Sequence, residues 1–364
     1  MTPSRPVPAR PPRPLRVGLV YDRFGDAPAP PDAPPDWDAE YEPEATVAAL
    51  EDAVRHLGHE PVRVGNVPAL LAAVCRGGAG RGGLGLDAAV NIAESYGSRN
   101  REAHAPVLLE LAGVPALGSD ALALSVSLDK HLTKTVAAAA GVATPPGIVV
   151  PGRTPPGGGV EQGGAESMGV LGVADADLGF PVIVKPRYEG TAKGIAPTSR
   201  CADRPALRAE VARQRALYGQ DLVVEAFVDG PEFTVGVVGT GDDAEALPVL
   251  QRATERATGI GLHALDEDPA RPFAYDLDGA LTPDLEAALQ RDALAVHRAL
   301  ECHDFSRADF RLDRAGRPVF IETNPLPTFA PDGTFAILAE LAGEPYPAFL
   351  AALLARGLRR LGLA

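Results

Sequence analysis

Arg307-Ala-Asp-Phe-Arg-Leu-Asp-Arg-Ala-Gly-Arg-Pro-Val-Phe-Ile-Glu-Thr-Asn324 reads as a strand, a turn and a second strand. Asp313 to Gly316 supplies turn chemistry between two runs of alternating apolar and polar residues, which predicts a β-hairpin. Alternation puts Arg307, Asp309 and Arg311 on one face of the first strand, and Phe320, Glu322 and Asn324 on one face of the second. Folding about the turn sets Asp309 opposite Glu322. Two carboxylates and an amide oxygen then converge beside two arginines. Hard oxygen donors in that number suit Mg²⁺, held largely through water and phosphate. Glu322 follows Val-Phe-Ile and is expected to be partly buried. The competing reading is a solvated hairpin face with ordinary charges.

The lysines point the same way. The chain has 34 basic residues, and only Lys130, Lys134, Lys185 and Lys193 are lysines. Arginine serves for charge everywhere else, so a retained lysine suggests a need for a compact ammonium. Chance clustering is the alternative for Lys134 and Lys193. Lys185 ends an apolar strand, and the proline after it forces an extended exit. Glu189-Gly190-Thr191-Ala192-Lys193-Gly194 follows, with small residues whose backbone N–H groups can close over phosphates. Downstream, Glu225 can accept from an adenine amino group. The strand edge at Ala226, Phe227 and Val228 can lie beside the ring, and Glu232 can accept from ribose hydroxyls.

Composition bounds the rest. A chain of 364 residues predicts two or three domains. A net charge of −14 argues against a nucleic-acid or anionic-membrane partner. No apolar run approaches the roughly 20 residues that span a bilayer. Residues 1–14, rich in Pro and Arg, read as a disordered tail, not a signal peptide. Cys75, Cys201 and Cys302 are isolated and odd in number, which suggests reduced thiols in a cytoplasmic protein with no zinc framework.

Alternating strands and helices before residue 120 predict a parallel α/β domain. Strands are expected at 15–21, 61–64 and 87–92, and helices at 44–57, 67–75 and 100–112. One helix is expected over 125–140, carrying Lys130. Residues 151–172, rich in Gly and Pro, predict a variable loop. Strands at 181–186 and 222–227 flank a helix at 205–218. A strand at 232–238, a helix at 283–300, the hairpin and a helix at 347–357 complete the chain.

Five strings, in this order, carry a resemblance: Leu-Leu-Glu-Leu-Ala-Gly-Val-Pro-Ala-Leu-Gly-Ser-Asp, Ser-Leu-Asp-Lys-His-Leu-Thr-Lys, Val-Lys-Pro with Glu-Gly-Thr-Ala-Lys-Gly-Ile, Val-Glu-Ala-Phe-Val-Asp-Gly-Pro-Glu-Phe-Thr-Val, and Arg-Ala-Asp with Ile-Glu-Thr-Asn-Pro. The chain resembles the ATP-grasp superfamily from Leu15 to about Leu341, and within it the D-alanine–D-alanine ligases. The resemblance implies an α/β ATP-grasp fold: a parallel α/β domain over 15–120, then two α+β subdomains over 121–229 and 230–364 that clamp ATP. It implies that Lys130 and Lys185 hold phosphates. Asp309, Glu322 and Asn324 would hold two Mg²⁺, with Mn²⁺ an admissible substitute and Glu322 bridging. Arg307 would stabilise a tetrahedral transition state. Glu44 is the likeliest match to the glutamate that takes the first substrate's ammonium, with Glu40 as the near alternative.

The chain departs from the family in four places. The phosphate loop keeps one hydroxyl, Thr191, and puts Ala192 where a second would be. Thr328 stands where a glycine usually follows Asn-x-x-Pro. The closing-loop Tyr-x-x-Lys-Tyr is missing between Pro248 and Leu281, leaving Arg252, Arg256 and His263 as candidates. The motif His-Gly-x-x-Gly-Glu-Asp-Gly is replaced by the string from Asn91 to Glu102, which contains Glu94 and Arg101. The expected activity is amide formation between a carboxylate and an amine through an acylphosphate, with amino-acid or small carboxylate and amine substrates, and a homodimer is the candidate assembly. A non-amino-acid acceptor, and a kinase or non-catalytic nucleotide binder on the same fold, are the alternatives.

Overall fold

The structure is a computed structural model that describes residues 13–77, 83–152, 179–261, 275–277 and 279–363. The tail reading for 1–12, most of the 151–172 loop, and His263 lie outside the described residues.

The first third alternates β1 (Arg16–Tyr21), α1 (Glu44–His56), β2 (Glu60–Gly65), α2 (Val67–Gly77), β3 (Ala88–Ile92), α3 (His104–Leu111) and β4 (Ala116–Leu117). These strands form a parallel sheet in the order β2-β1-β3-β4. The central strands β1 and β3 are buried along almost their whole length, as parallel strands covered on both faces must be. Two helices follow, α4 (Ala121–Leu128) and α5 (Lys130–Ala139).

Next come β5 (Gly147–Val150), β6 (Val182–Pro186), β7 (Arg200–Cys201), α6 (Arg204–Tyr218) and β8 (Leu222–Ala226), with an antiparallel sheet ordered β5-β8-β6-β7. The last part comprises β9 (Glu232–Val238), β10 (Glu245–Ala246), β11 (Leu250–Arg252), β12 (Thr254–Glu255), β13 (Tyr275–Asp276), α7 (Pro283–Ala299), β14 (Phe305–Leu312), β15 (Pro318–Asn324), α8 (Thr334–Leu341) and α9 (Tyr346–Arg360). Its antiparallel sheet runs β10-β9-β14-β15, with β11 also on β9.

The helix expected over 125–140 is two helices. Asp129 takes an extended backbone and caps α5, its side chain accepting from the N–H groups of His131 and Leu132. The break leaves Lys130 as the first residue of α5. The helix expected over 100–112 shortens to α3, preceded by a tight turn at 101–103.

The cores cut across the segments at 120/121 and 229/230. Ala137 and Val142 pack with Phe233, Phe310 and Phe320 of the last sheet. Phe305, Phe329, Phe335 and Phe349 pack with Val17, Leu19 and Val90 of the first sheet. Rings step along this seam at 5.0 Å (Phe305 to Phe329), 5.5 Å (Phe329 to Phe335) and 6.2 Å (Phe335 to Phe349). The root of the hairpin is thereby fixed to the N-terminal sheet. Among the described residues no single helix is long and apolar enough to cross a membrane.

Candidate active site

The hairpin forms in the expected register at its centre, with Asp309 opposite Glu322 and Arg307 opposite Asn324. One expectation fails. The register shifts between Asp309 and Phe310, which pairs with Phe320 and leaves Ile321 as an extra residue. The resulting bulge puts Phe320 in the core, edge-on to Phe310 at 5.7 Å, while Ile321 and Glu322 both face the cleft. Phe320 and Glu322 therefore do not share a face. A bulge re-aims side chains in this way because two residues on one strand oppose one on the other.

Asp309 is fixed from both sides. Its Oδ1 accepts from Thr234 Oγ1 at 2.7 Å, and its Oδ2 accepts from Arg307 Nε at 3.2 Å. Thr234 in turn accepts from Arg252 Nε at 2.7 Å, and Arg252 also reaches Thr334 Oγ1 at 2.6 Å. Glu322 Oε2 accepts from Lys130 Nζ at 2.9 Å. Burial alone would raise the Glu322 carboxyl. Lys130, Lys185 and Arg307 outweigh burial and hold it well below the usual carboxylate range. Asn324 Oδ1 accepts from the Leu326 N–H at 2.7 Å.

All four lysines are buried. Lys134 and Lys185 each stand 2.7 Å from one oxygen of Glu225, which is 1% exposed. Burial works against this carboxylate, but the two ammonium groups bring its pKa down to about 2. Lys134 goes the other way: burial and the neighbouring lysines lower it against the pull of Glu225. Glu225 is thus not a free acceptor at a strand end. It carries two lysines, because Lys134 lies one turn beyond Lys130 on α5 and Lys185 ends β6 beside β8. Lys134 and Lys193 are each paired with buried carboxylates, Lys134 with Glu225 and Lys193 with Glu40 and Glu189.

The loop at 190–194 is shaped by its own backbone. Thr191 and Ala192 both take left-handed conformations, at φ 45° and 58°. A Cβ on Gly190 would meet Glu40 Oε1 at 2.6 Å, so a larger residue would push that carboxylate off the loop. Glu40 binds the loop directly. It accepts from Gly190 N at 2.7 Å, Lys193 Nζ at 2.5 Å and Arg101 Nη2 at 2.8 Å. Arg101 also donates to the Tyr188 carbonyl. Asp36 Oδ2 accepts from Gly194 N at 3.0 Å and from the Tyr218 hydroxyl at 2.5 Å. The segment before α1 therefore clasps the loop from outside its own sheet.

Glu44 is not in this cluster. It sits on the outer surface, paired with Arg23 at 2.5 Å and Arg63 at 2.6 Å. The start of α1 points away from the cleft, and Glu40 in the preceding segment is the glutamate that reaches it. Thr328 Oγ1 donates to Glu42 Oε2 at 2.9 Å, and Glu42 also accepts from Thr46 Oγ1.

The cleft has two lobes. Lys185, Thr191, Ala192, Glu225 to Val228, Glu232, Ile260 and Asp309 line the first. Phe227 is held between two guanidinium groups, Arg200 and Arg311, each 5.1 Å from its ring. Glu40, Glu94, Glu102, Gly190 and Asn324 line the second. Lys130, Glu189, Thr191, Arg307 and Glu322 line both. Among the described residues no three carboxylate, imidazole or thiol side chains form a self-sufficient metal cage. The oxygens of Asp309, Glu322 and Asn324 nevertheless suit an ion that takes its other ligands from phosphate and water.

The D-ala D-ala ligase C-terminus family model matches residues 164–355. The D-alanine–D-alanine ligase of Cupriavidus necator is 32% identical over 243 residues, covering 67% of this chain and 68% of that protein. The chain belongs to the D-alanine–D-alanine ligase family. This ligase-family chain is also 30% identical over 267 residues to the uncharacterized protein y4sG of Sinorhizobium fredii, covering 71% of each. A solved D-alanine–D-alanine ligase from Bacillus anthracis, complexed with ATP, superposes with a TM-score of 0.65 at 18% identity, over 95% of this chain and 98% of that one. The fold is ATP-grasp, and the activity class is ATP-dependent amide-bond formation.

Sequence reasoning named the hairpin, Lys130, Lys185 and the loop. It left Glu40 second to Glu44 and gave no role to Arg101, Glu94 or Glu102. The signal available was the string from Asn91 to Glu102, whose charged residues replace a family motif.

Proposed function

We propose that the second lobe binds a carboxylate substrate and that the first binds ATP, so that the carboxylate oxygen meets the γ-phosphorus at the junction. The observation that carries this reading is the set of groups facing both lobes: Lys130, Glu189, Thr191, Arg307 and Glu322. Phosphoryl transfer depends mainly on positioning and charge stabilisation, and these side chains supply both. Lys185, held by Glu225, and Lys130, held by Glu322, stand ready for phosphate oxygens. Asp309, Glu322 and Asn324 would hold Mg²⁺, as one or two ions. When bound, Mg²⁺ draws charge off the transferring phosphoryl group. Glu232 and the strand edge at 226–228 fit ribose and adenine, with Phe227 fixed by its two arginines.

An amine then attacks the acylphosphate carbonyl and phosphate leaves. Arg307 is placed to stabilise the oxyanion. The acylphosphate must be shielded from water, which suits a loop held shut by Asp36 and Glu40. The amine acceptor differs from D-alanine in this account. Thr328 fills space that a glycine would leave and is tied to Glu42. A competition assay of D-alanine against a panel of amines, read as product ratios, tests this. Preference for another amine is expected; a clear preference for D-alanine as both partners would refute the acceptor assignment.

A further inference from the structure

Arg311 is the charged residue of β14 left without a role in phosphoryl transfer. It shares a strand face with Arg307 and Asp309, and all three line the first lobe. Two residues advance a strand by about 7 Å. The face therefore runs from Arg307, where the lobes meet, past Asp309 to Arg311. There Arg311 stands opposite Glu232 in the ladder, in a wall that also holds Phe227, Val228 and Ile260. The side chain is 7% exposed. Among the described residues its guanidinium hydrogen-bonds only to carbonyl oxygens. Nε and Nη2 donate to Gly230 O at 3.1 and 3.0 Å, and Nη2 also donates to Gly259 O at 2.6 Å. The group lies 5.1 Å from the Phe227 ring. Burial lowers its pKa against the attraction of Glu232 and Asp229. A buried cation bonded to no carboxylate adds little to stability, and an apolar side chain would fill the position at a smaller desolvation cost. What this arginine does is join three segments.

The first segment is the strand edge at Phe227, and the second is the turn at Gly230 that leads into β9. The third is the tight turn at 255–260. Glu255 N donates to Ile260 O and Gly259 N to Glu255 O, each at 2.7 Å. The Glu255 carboxylate accepts from the N–H groups of Ala257 and Thr258. A Cβ on Gly259 would stand 3.4 Å from the Phe227 ring and 3.2 Å from Asp229 Oδ1, so the turn is seated directly on the strand edge. Ile260, 3% exposed, then lines the first lobe. We propose that Arg311 is a positioning residue for the base and ribose of the nucleotide: its planar fork holds Phe227 and the 255–260 turn together as one wall of the first lobe. The described part of the stretch that replaces the family's closing loop thereby serves the nucleotide end of the cleft.

This inference rests on the assignment of ATP to the first lobe. The test uses the full chain, with Arg311→Met and Arg311→Lys beside the parent. Calorimetry reads the binding of ADP with Mg²⁺, and hydrogen exchange reads the unliganded proteins. Arg311→Met should bind ADP at least about 10-fold more weakly, the scale of ordering a loosened wall on binding. Its amides at 255–260 should exchange faster, while those of β14 and β15 keep the parent's rates. Arg311→Lys should lose ADP affinity as well, because an ammonium keeps the charge but cannot span Gly230 and Gly259 while covering Phe227. A residue that only stabilises the fold would loosen the hairpin along with the turn. Unchanged ADP binding by Arg311→Met, faster exchange that spreads through β14 and β15, or parent-like binding by Arg311→Lys would overturn the proposal. Failure of the ATP assignment shows separately, as a parent protein that binds no ADP, and it would take this inference with it.

Discussion

Lys130 and Glu322 hold each other at 2.9 Å where phosphate and a divalent ion would compete for both partners. The pair keeps two buried charges satisfied, and in the proposed reading nucleotide and ion would give each a new partner. Glu322→Gln keeps the shape and removes the charge. Turnover should fall by at least about 10² while ATP binding weakens less, because the lost interaction acts on transferring charge. Near-normal phosphate release would refute the metal assignment. Glu102 gives a pH signature. Burial raises it to about 7 from an ordinary 4.5, with Arg101 pulling down and Glu40 pushing up. A group raised in the fold contributes its stability below the unfolded value and loses it as pH climbs through the folded one. Glu102→Gln cannot lose it. The variant's gain in Tm over the parent should be small near about pH 5 and larger near about pH 8; a gain that does not grow with pH would contradict the raised carboxyl.

At the scale of elements, the hairpin was legible in the sequence because turn chemistry and alternation agree over its length. The bulge at Ile321 was not, since nothing in Val-Phe-Ile-Glu distinguishes a regular pleat from one with an extra residue. The break at Asp129 was missed for a related reason: the apolar pattern runs through it, and the cap shows only once Arg187 is seen bridging to the same carboxylate at 2.8 Å on each arm. That bridge ties the start of α5 to the exit of β6, and so sets Lys130 and Lys185 side by side. Asp129→Ala should cost more than the roughly 1 kcal/mol typical of a lost cap, because Arg187 is freed as well. Denaturant midpoints measure the first effect, and a raised KM for ATP the displacement of Lys130. A loss no larger than an ordinary cap, with KM unchanged, would show that Asp129 caps the helix and does nothing more. Glu44 and Glu40 illustrate the limit on site residues. They are four positions apart in one acidic stretch, and only the path of the chain before α1 decides which one turns inward.

For the whole molecule, the site is made by parts distant in sequence that share cores. The aromatic seam from Phe305 to Phe349 fixes the hairpin to the first sheet, and Asp36 and Glu40 fix the phosphate loop to the same domain. Phe329, 0% exposed in the middle of that seam, should cost about 3–5 kcal/mol when cut to alanine, as read from chemical denaturation. Opening the clasp should affect chemistry more than stability. Asp36→Ala frees Gly194 and Tyr218, admits water to the acylphosphate, and should raise the phosphate released per amide formed. An unchanged ratio would mean that the clasp has no part in sealing the cleft. The central claim is that one cleft joins a carboxylate to an amine at the cost of ATP. Its most direct measurement is the stoichiometry of phosphate and amide over pairs of carboxylates and amines, each tested alone and together. The account predicts phosphate release that requires both partners and matches amide formed; release with a carboxylate alone, leaving a stable phosphorylated product, would contradict it.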